Sequence, residues 1–394
     1  MPFAHRRVLI FSEAVTLAHL ARPLALLGTI EKESRDIHFA CPNNHFRKFL
    51  GFLPYPIYTL ESMSPARFLR ALNWGRPIYT TALLKQYIQE DLALIERIQP
   101  DVVVGDFRLS LSISARMASV EYHNITNAYW RPEYRPVPPR PVLKPMRFLP
   151  TPVADALYRA SIEKIFRLHA KPFNQARRSH GLPELPPDVR YFYTDGDVVL
   201  YADRRALYPD FALPDGHCFL GPLLWAPSVP PPDWWERVPR NRPVIYVALG
   251  SSGNHSAFQI LLNTLSRLPV AVIAATGEGA PAVEENRYLA PWLDGNAACR
   301  RASLLICNGG VMSCHQALEA GIPVIGVCSN MDQFLSMQVM EENRLGHTIR
   351  ADEVDAHRVV AVVERLLSER DQPDSPFSQA LRQITAGSTA EGKK

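Results

Sequence analysis

The stretch "ASLLICNGGVMSCHQALEAGIPVIGVCS", Ala302 to Ser329, decides how this chain folds. "LLIC" is an unbroken apolar run of strand length, the pattern of a strand buried on both faces. Gly309 and Gly310 then let the backbone turn tightly. A helix opens near Met312 with Ser313 in its first turn, and "PVIGVCS" returns as a second apolar strand. Amides left unpaired at such a helix start, together with the positive end of the helix dipole, make a seat suited to phosphate.

The same alternation extends outward in both directions. "VIYVALG" (244–250) and "VAVIAATG" (270–277) precede it in the same half of the chain, separated by helical patterns. The other half begins with the strand "RVLIF" (7–11), the helix "LARPLALLGTIEK" and the strand "DIHFACP" (36–42). A helix over 84–99 ends before Pro100 and leads into "DVVVGDF" (101–107), and "DVVLYAD" (197–203) and "HCFLGPLLW" (217–225) follow. The expected fold is α/β, built as two Rossmann-like, doubly wound domains that face each other across a cleft. "APSVPPPDWWERVPRNRP" (226–243) reads as the linker, which assigns 1–225 to the first domain and 244–394 to the second. "WRPEYRPVPPRPVLKPMRFLPTP" (130–152) is too proline-rich for helix or central strand and reads as a long loop over that cleft.

A chain of 394 residues exceeds the size of one hydrophobic core. Its net charge of +4, from 43 basic and 39 acidic residues, gives no ground for nucleic-acid binding. No signal-peptide pattern or run of transmembrane length occurs, so a cytoplasmic location is expected. Six cysteines without a C-x-x-C pair read as reduced, packing thiols. "GEGAPA" (277–282) lacks the acidic residue that a dinucleotide site needs, and "DGD" (195–197) reads as a turn rather than a metal site. The basic apolar runs "HFRKFLGFL" (45–53) and "RFLRAL" read first as solvated helix faces, with peripheral membrane contact as the alternative.

The segment from Asn308 to Gln333 resembles the donor-binding signature of the nucleotide-sugar glycosyltransferases of the GT-B fold, H-G-G-x-[GN]-[ST]-x-x-E-A-L-x-x-G-x-P followed by D-Q. Here Asn308 replaces the histidine, Gly309, Gly310 and Ser313 match, and Gln316 replaces the glutamate. Gly321 and Pro323 are in register, and Asp332 and Gln333 supply the final pair. The resemblance implies that Asn308 lies at the diphosphate and Gln316 at the ribose, with Asp332 and Gln333 on the sugar hydroxyls. Upstream, Trp292 takes the place of the tryptophan that lies against the nucleobase, with Gly295 where glutamine is usual. Ser251 and Ser252, in "YVALGSSGN", resemble the family's glycine-serine loop at the β-phosphate.

The run Ala18 to Pro23, "AHLARP", resembles the family's G-H-x-x-P, whose histidine removes the acceptor's proton. An imidazole, titrating near neutrality, is suited to that task. Asp106 holds the place of the aspartate that orients it. The resemblance therefore implies inverting transfer of a sugar from a UDP- or dTDP-sugar, a co-substrate, to a hydroxyl of a small lipophilic acceptor, a lipid or natural product. Tyr129 and Trp130 are expected to shape the acceptor pocket. Neither a cofactor nor a metal is implied. Two other readings of the same fold are a nucleotide-sugar hydrolase or epimerase, and a non-catalytic accessory protein.

Overall fold

The computed structural model describes residues 3–30, 34, 36–51, 53–134, 137–250 and 253–391. The chain divides into two compact units. One takes in Met1–Val137, Leu143–Arg204 and Asp210–Leu223; the other takes in Pro138–Val142, Arg205–Pro209 and Leu224–Lys394.

The first unit holds β1 (Arg7–Ser12), α1 (Ala18–Ile30), β2 (Asp36–Pro42), β3 (Ile57–Leu60), α2 (Pro65–Trp74), α3 (Thr81–Ile98), β4 (Val102–Asp106) and α4 (Leu111–Met117). It continues with β5 (Glu121–Thr126), α5 (Thr151–Ser179), α6 (Arg190–Tyr193), β6 (Val198–Tyr201) and β7 (His217–Phe219). The seven strands run in the order β3-β2-β1-β4-β5-β6-β7, all parallel. Alternate side chains explain why β1 and β4 are apolar on both faces. Val8, Ile10, Val102 and Val104 face Leu20, Leu26 and Leu27 of α1, whereas Leu9, Phe11 and Val103 face Ile95 of α3 and Leu111 of α4. The strand order reverses between β1 and β4, and in such sheets the carboxyl ends at the reversal form the ligand crevice.

The second unit holds β8 (Val244–Ala248), α7 (His255–Leu265), β9 (Ala271–Ala275), β10 (Ala282–Glu284), β11 (Arg287–Ala290), α8 (Gly295–Arg301) and β12 (Leu304–Cys307). After these come α9 (Val311–Glu319), β13 (Val324–Cys328), α10 (Met331–Glu342), β14 (Gly346–Arg350), α11 (Ala356–Asp371) and α12 (Pro376–Glu391). Its order is β10-β11-β9-β8-β12-β13-β14, with β10 and β11 an antiparallel hairpin and the other pairs parallel. The reversal here falls between β8 and β12.

Several strands are absent from the periodicity reading. β5, "EYHNIT", carries His123 and Asn124 in a buried central position. The Asn124 amide is satisfied by the carbonyls of Tyr193 and Asp195, partners that no local pattern reveals. In the proline-rich segment, Pro138–Val142 groups with the second unit, where the Val142 N–H donates to the Ser329 carbonyl at 2.7 Å. Asp195 and Asp197 of "DGD" are spent on Arg116 (2.6 Å) and the Tyr122 N–H (2.8 Å), as befits a turn before β6. All six thiols are free, and only Cys218 is exposed. Among the described residues no helix is long and apolar enough to cross a membrane, and no cluster of His, Cys, Asp or Glu is arranged to hold a metal ion.

Candidate active site

At the β1/β4 reversal, Ser12 pairs with Asp106 in register, and the Glu13 N–H donates to the Asp106 carbonyl at 3.2 Å. The chain then enters α1, which places His19 in its first turn. Counted along the chain, the proline stands four residues after His19, one further than in G-H-x-x-P. That offset has a structural consequence. Pro23 has no N–H to offer the carbonyl one helical turn back, that of His19, and the Ser12 hydroxyl donates to this carbonyl instead at 2.7 Å. The backbone of His19 is thereby tied to the end of β1.

His19 Nδ1 lies 2.8 Å from Asp106 Oδ1, with Asp106 fully buried and the imidazole 16% exposed. Arg22, one turn on, grips the same carboxylate with both arms, Nε to Oδ2 at 2.8 Å and Nη2 to Oδ1 at 2.6 Å. Its third contact runs from Nη1 to Asn127 Oδ1 at 2.7 Å. Asn127 donates to Asp203, whose other oxygen accepts from the Ala128 N–H at 2.7 Å. Arg22 Nη2 also approaches His19 Nδ1 to 3.0 Å. A carboxylate accepts only and a guanidinium donates only. The guanidinium contact alone would put a lone pair on Nδ1, but Nη2 already donates to Asp106 Oδ1 at 2.6 Å, so we assign the proton to Nδ1, directed at the nearer Asp106, which leaves the lone pair on Nε2.

The ring of His19 stacks on Phe107 (4.5 Å between centroids, 18° between planes). Phe107 takes a left-handed backbone, φ +59°, held by the Tyr79 hydroxyl donating to its carbonyl at 2.6 Å. Phe68, Tyr79 and Tyr193 pack around Phe107, and Trp130 meets Tyr193 edge-on at 4.7 Å. Trp130 thus joins the aromatic shell of the histidine, whereas Tyr129 is buried. Beneath lies a dry ionic cluster in which Arg108, fully buried, reaches Glu13 at 3.0 Å and Asp91 at 2.9 Å. Burial pushes the Glu13 carboxyl above its ordinary range, against the pull of Arg108.

At the second reversal, the turn after β12 and the helix α9 carry Asn308, Gly309, Gly310, Ser313 and Gln316. Asn308 follows β12 and its Oδ1 accepts from the Gly310 N–H at 3.1 Å. Gly250, after β8, lies beside it: a Cβ on Gly250 would come 3.3 Å from Asn308 Nδ2. Gly309 has φ +79°, and a Cβ there would come 2.6 Å from Cys328 Sγ and 2.8 Å from Met337 Cγ. Gly310 caps α9, so the N–H groups of Val311, Met312 and Ser313 have no acceptor within the helix. Gln316 is buried; its Nε2 donates to the Trp225 carbonyl at 3.0 Å, and its amide occupies the space a side chain on Gly295 would need. Trp292 is half-buried just ahead of Gly295. Asp332 lies half-buried in the first turn of α10. The Gln333 side-chain oxygen Oε1 closes a capping box with Asn330, accepting from the N–H groups of Ser329 and Asn330. Ser251 and Ser252 lie outside the described residues.

Sequence reasoning missed Arg22, Asn127 and Asp203. Arg22 had a signal, a lone cation within the apolar run "LARPLALL". Asn127 and Asp203 had none, because only the sheet brings the ends of β4, β5 and β6 together.

Residues 244–390 match the Glycosyltransferase family 28 C-terminal domain. A PGL/p-HBAD biosynthesis glycosyltransferase of Mycobacterium tuberculosis is 42% identical over 386 residues, 97% of this chain and 89% of that protein. A PGL/p-HBAD biosynthesis rhamnosyltransferase of Mycobacterium bovis is 40% identical over 93% of this chain and 82% of its own length. Among solved structures, the spinosyn rhamnosyltransferase SpnG complexed with thymidine diphosphate superimposes with a TM-score of 0.64 at 14% identity, covering 98% of this chain and 96% of SpnG. With identity above 40% along almost its whole length and both sheets in the expected order, this protein belongs to the GT-B nucleotide-sugar glycosyltransferases and is a sugar-transferring enzyme.

Proposed function

We propose that the enzyme transfers a hexose, with inversion, from a UDP- or dTDP-sugar to a hydroxyl of a small lipophilic acceptor. The observation that carries this reading is the 2.8 Å contact between His19 Nδ1 and Asp106 at the carboxyl end of the sheet, with aromatic side chains around the ring. His19 Nε2 takes the proton of the acceptor hydroxyl, whose oxygen forms the new bond to the anomeric carbon as the bond to the diphosphate breaks. Asp106 stabilises the imidazolium as it forms. Charge on the departing nucleoside diphosphate falls to the first-turn amides of α9, to Asn308 and to Ser251 and Ser252, without a metal. Trp292 lies along the base, Gln316 borders the ribose, and Asp332 and Gln333 serve the sugar.

The thymidine diphosphate named with SpnG and the rhamnosyltransferase named in Mycobacterium bovis make dTDP-rhamnose the first donor to try. A thermal-shift panel of UDP, TDP, GDP and ADP tests the donor half, since a ligand that binds only the folded chain raises its melting temperature. His19→Ala tests the base. Transfer should fall by about 10²- to 10⁴-fold while the nucleotide's affinity stays within about twofold. Normal turnover by that variant would overturn the mechanism.

A further inference from the structure

Exposed large apolar side chains are scattered singly on most proteins and carry no message there. Here several fall on one segment: Phe148 is 93% exposed, followed by Leu149 (40%), Val153 (47%), Leu157 (49%) and Leu168 (51%). Along α5, Val153, Leu157, Ala160, Lys164, Arg167 and Lys171 recur three or four residues apart and are all exposed, so they form one face. The opposite face buries Ala154, Tyr158, Phe166, Ala170 and Phe173, and the core therefore has no use for the exposed stripe. The stripe is apolar at its amino-terminal end and cationic further on.

Charge is concentrated in the same place. Six basic residues (Lys144, Arg147, Arg159, Lys164, Arg167, Lys171) and two acidic ones (Asp155, Glu163) lie between Lys144 and Lys171. This segment alone accounts for the chain's formal net charge of +4, and the remaining residues balance. Lys164, Arg167 and Lys171 also line a cavity of about 380 Å³, together with Arg178, which is ion-paired to Glu184.

We propose that this face of α5 docks the chain on a bilayer containing anionic lipid. Phe148, Leu149, Val153 and Leu157 enter the boundary between headgroups and acyl chains, and Lys164, Arg167 and Lys171 lie against the lipid phosphates. Apolar insertion and cationic attraction are the two contributions by which a helix lies on a membrane without crossing it. α5 meets the second half of that condition, since it is too polar to span.

The test is flotation of the full chain with vesicles of 70:30 phosphatidylcholine and phosphatidylglycerol, against vesicles of pure phosphatidylcholine, at 0.1 and 0.5 M NaCl. The wild type should bind the anionic vesicles at least about tenfold more tightly at the lower salt, where charges are less screened. Phe148→Ser with Leu149→Ser should weaken binding at least about tenfold and keep the salt dependence. Lys164→Gln, Arg167→Gln and Lys171→Gln together should weaken it and flatten the salt dependence. Every substituted side chain is exposed, so unchanged melting temperatures verify folding. Failure of the wild type to bind the anionic vesicles, or both variants binding as the wild type does, would overturn the proposal. Vesicle-free sedimentation in which the serine variant alone abolishes self-association would assign the face to a second copy of the chain and equally overturn it.

Discussion

Arg22→Met isolates what the guanidinium does for the base. Methionine fills a similar volume, so the change removes charge and hydrogen bonds with little cavity. Asp106 is 0% exposed and takes two contacts from Arg22, at 2.6 and 2.8 Å. Removing one partner of a buried ion pair costs about 3–5 kcal/mol, because the remaining charge is left desolvated. At about 2–4 °C per kcal/mol for a unit of this size, the first unit should melt at least about 6 °C lower. Without Arg22, whose Nη2 lies 3.0 Å from Nδ1, the imidazole is held by the carboxylate alone and is oriented less firmly. Sugar transfer should fall at least about tenfold in kcat while the nucleotide's affinity is unchanged, since a mispositioned base weakens proton transfer and not donor binding. Adding Asp106→Asn removes the stranded charge and should return most of the stability while leaving the base without its anchor, a non-additivity expected of residues in one network. Melting within about 2 °C of the wild type together with an unchanged kcat would refute the assignment of Arg22 as a positioning residue.

Gly309→Ala should destabilise the second unit by about 3 kcal/mol in denaturant titration, since the new methyl meets Cys328 and Met337 at a left-handed backbone; an unchanged midpoint would contradict the packing described. Burial holds His123, His169, His217 and His347 below their ordinary range. As pH falls below about 6.5 the unfolded chain gains protons that these folded imidazoles refuse, so stability should drop between pH 7 and 5 by up to about 1.4 kcal/mol per unit for each histidine. Glu13 acts in the opposite sense, one group against four. Equal denaturation midpoints at pH 7.5 and 5.5 would count against this. Turnover should be unaffected by prolonged dialysis against EDTA, and a loss that Mg²⁺ restores would require a metal in the donor site.

Elements whose strands are buried on both faces were legible in advance. "PVIGVCS" became β13 because a continuous apolar run of that length suits a strand in a sheet covered on both faces, and "DIHFACP" became β2 through its apolar Ile37, Phe39, Ala40 and Cys41. β5 and β14 were not, since "EYHNIT" and "GHTIR" mix polar with apolar positions, and Asn124 of β5 meets its partners, the carbonyls of Tyr193 and Asp195, 69 and 71 positions away. Gly309 was legible as a turn, and its packing against Cys328 and Met337, which excludes any side chain, was not.

The active-site half of the first unit divides in the same way. Resemblance to the family's motifs, together with placement at the carboxyl ends of two strands, singled out His19 and Asp106 in the sequence. Tertiary structure alone decided that Arg22 would close on Asp106, that Ser12 would replace the donor missing at Pro23, and that Asn127 and Asp203 would extend the network. Local pattern reports which face of an element is buried. Which polar groups meet at a sheet's carboxyl edge depends on strand order, which here brings Arg22 to Asp106 and Asn127, 84 and 105 positions away.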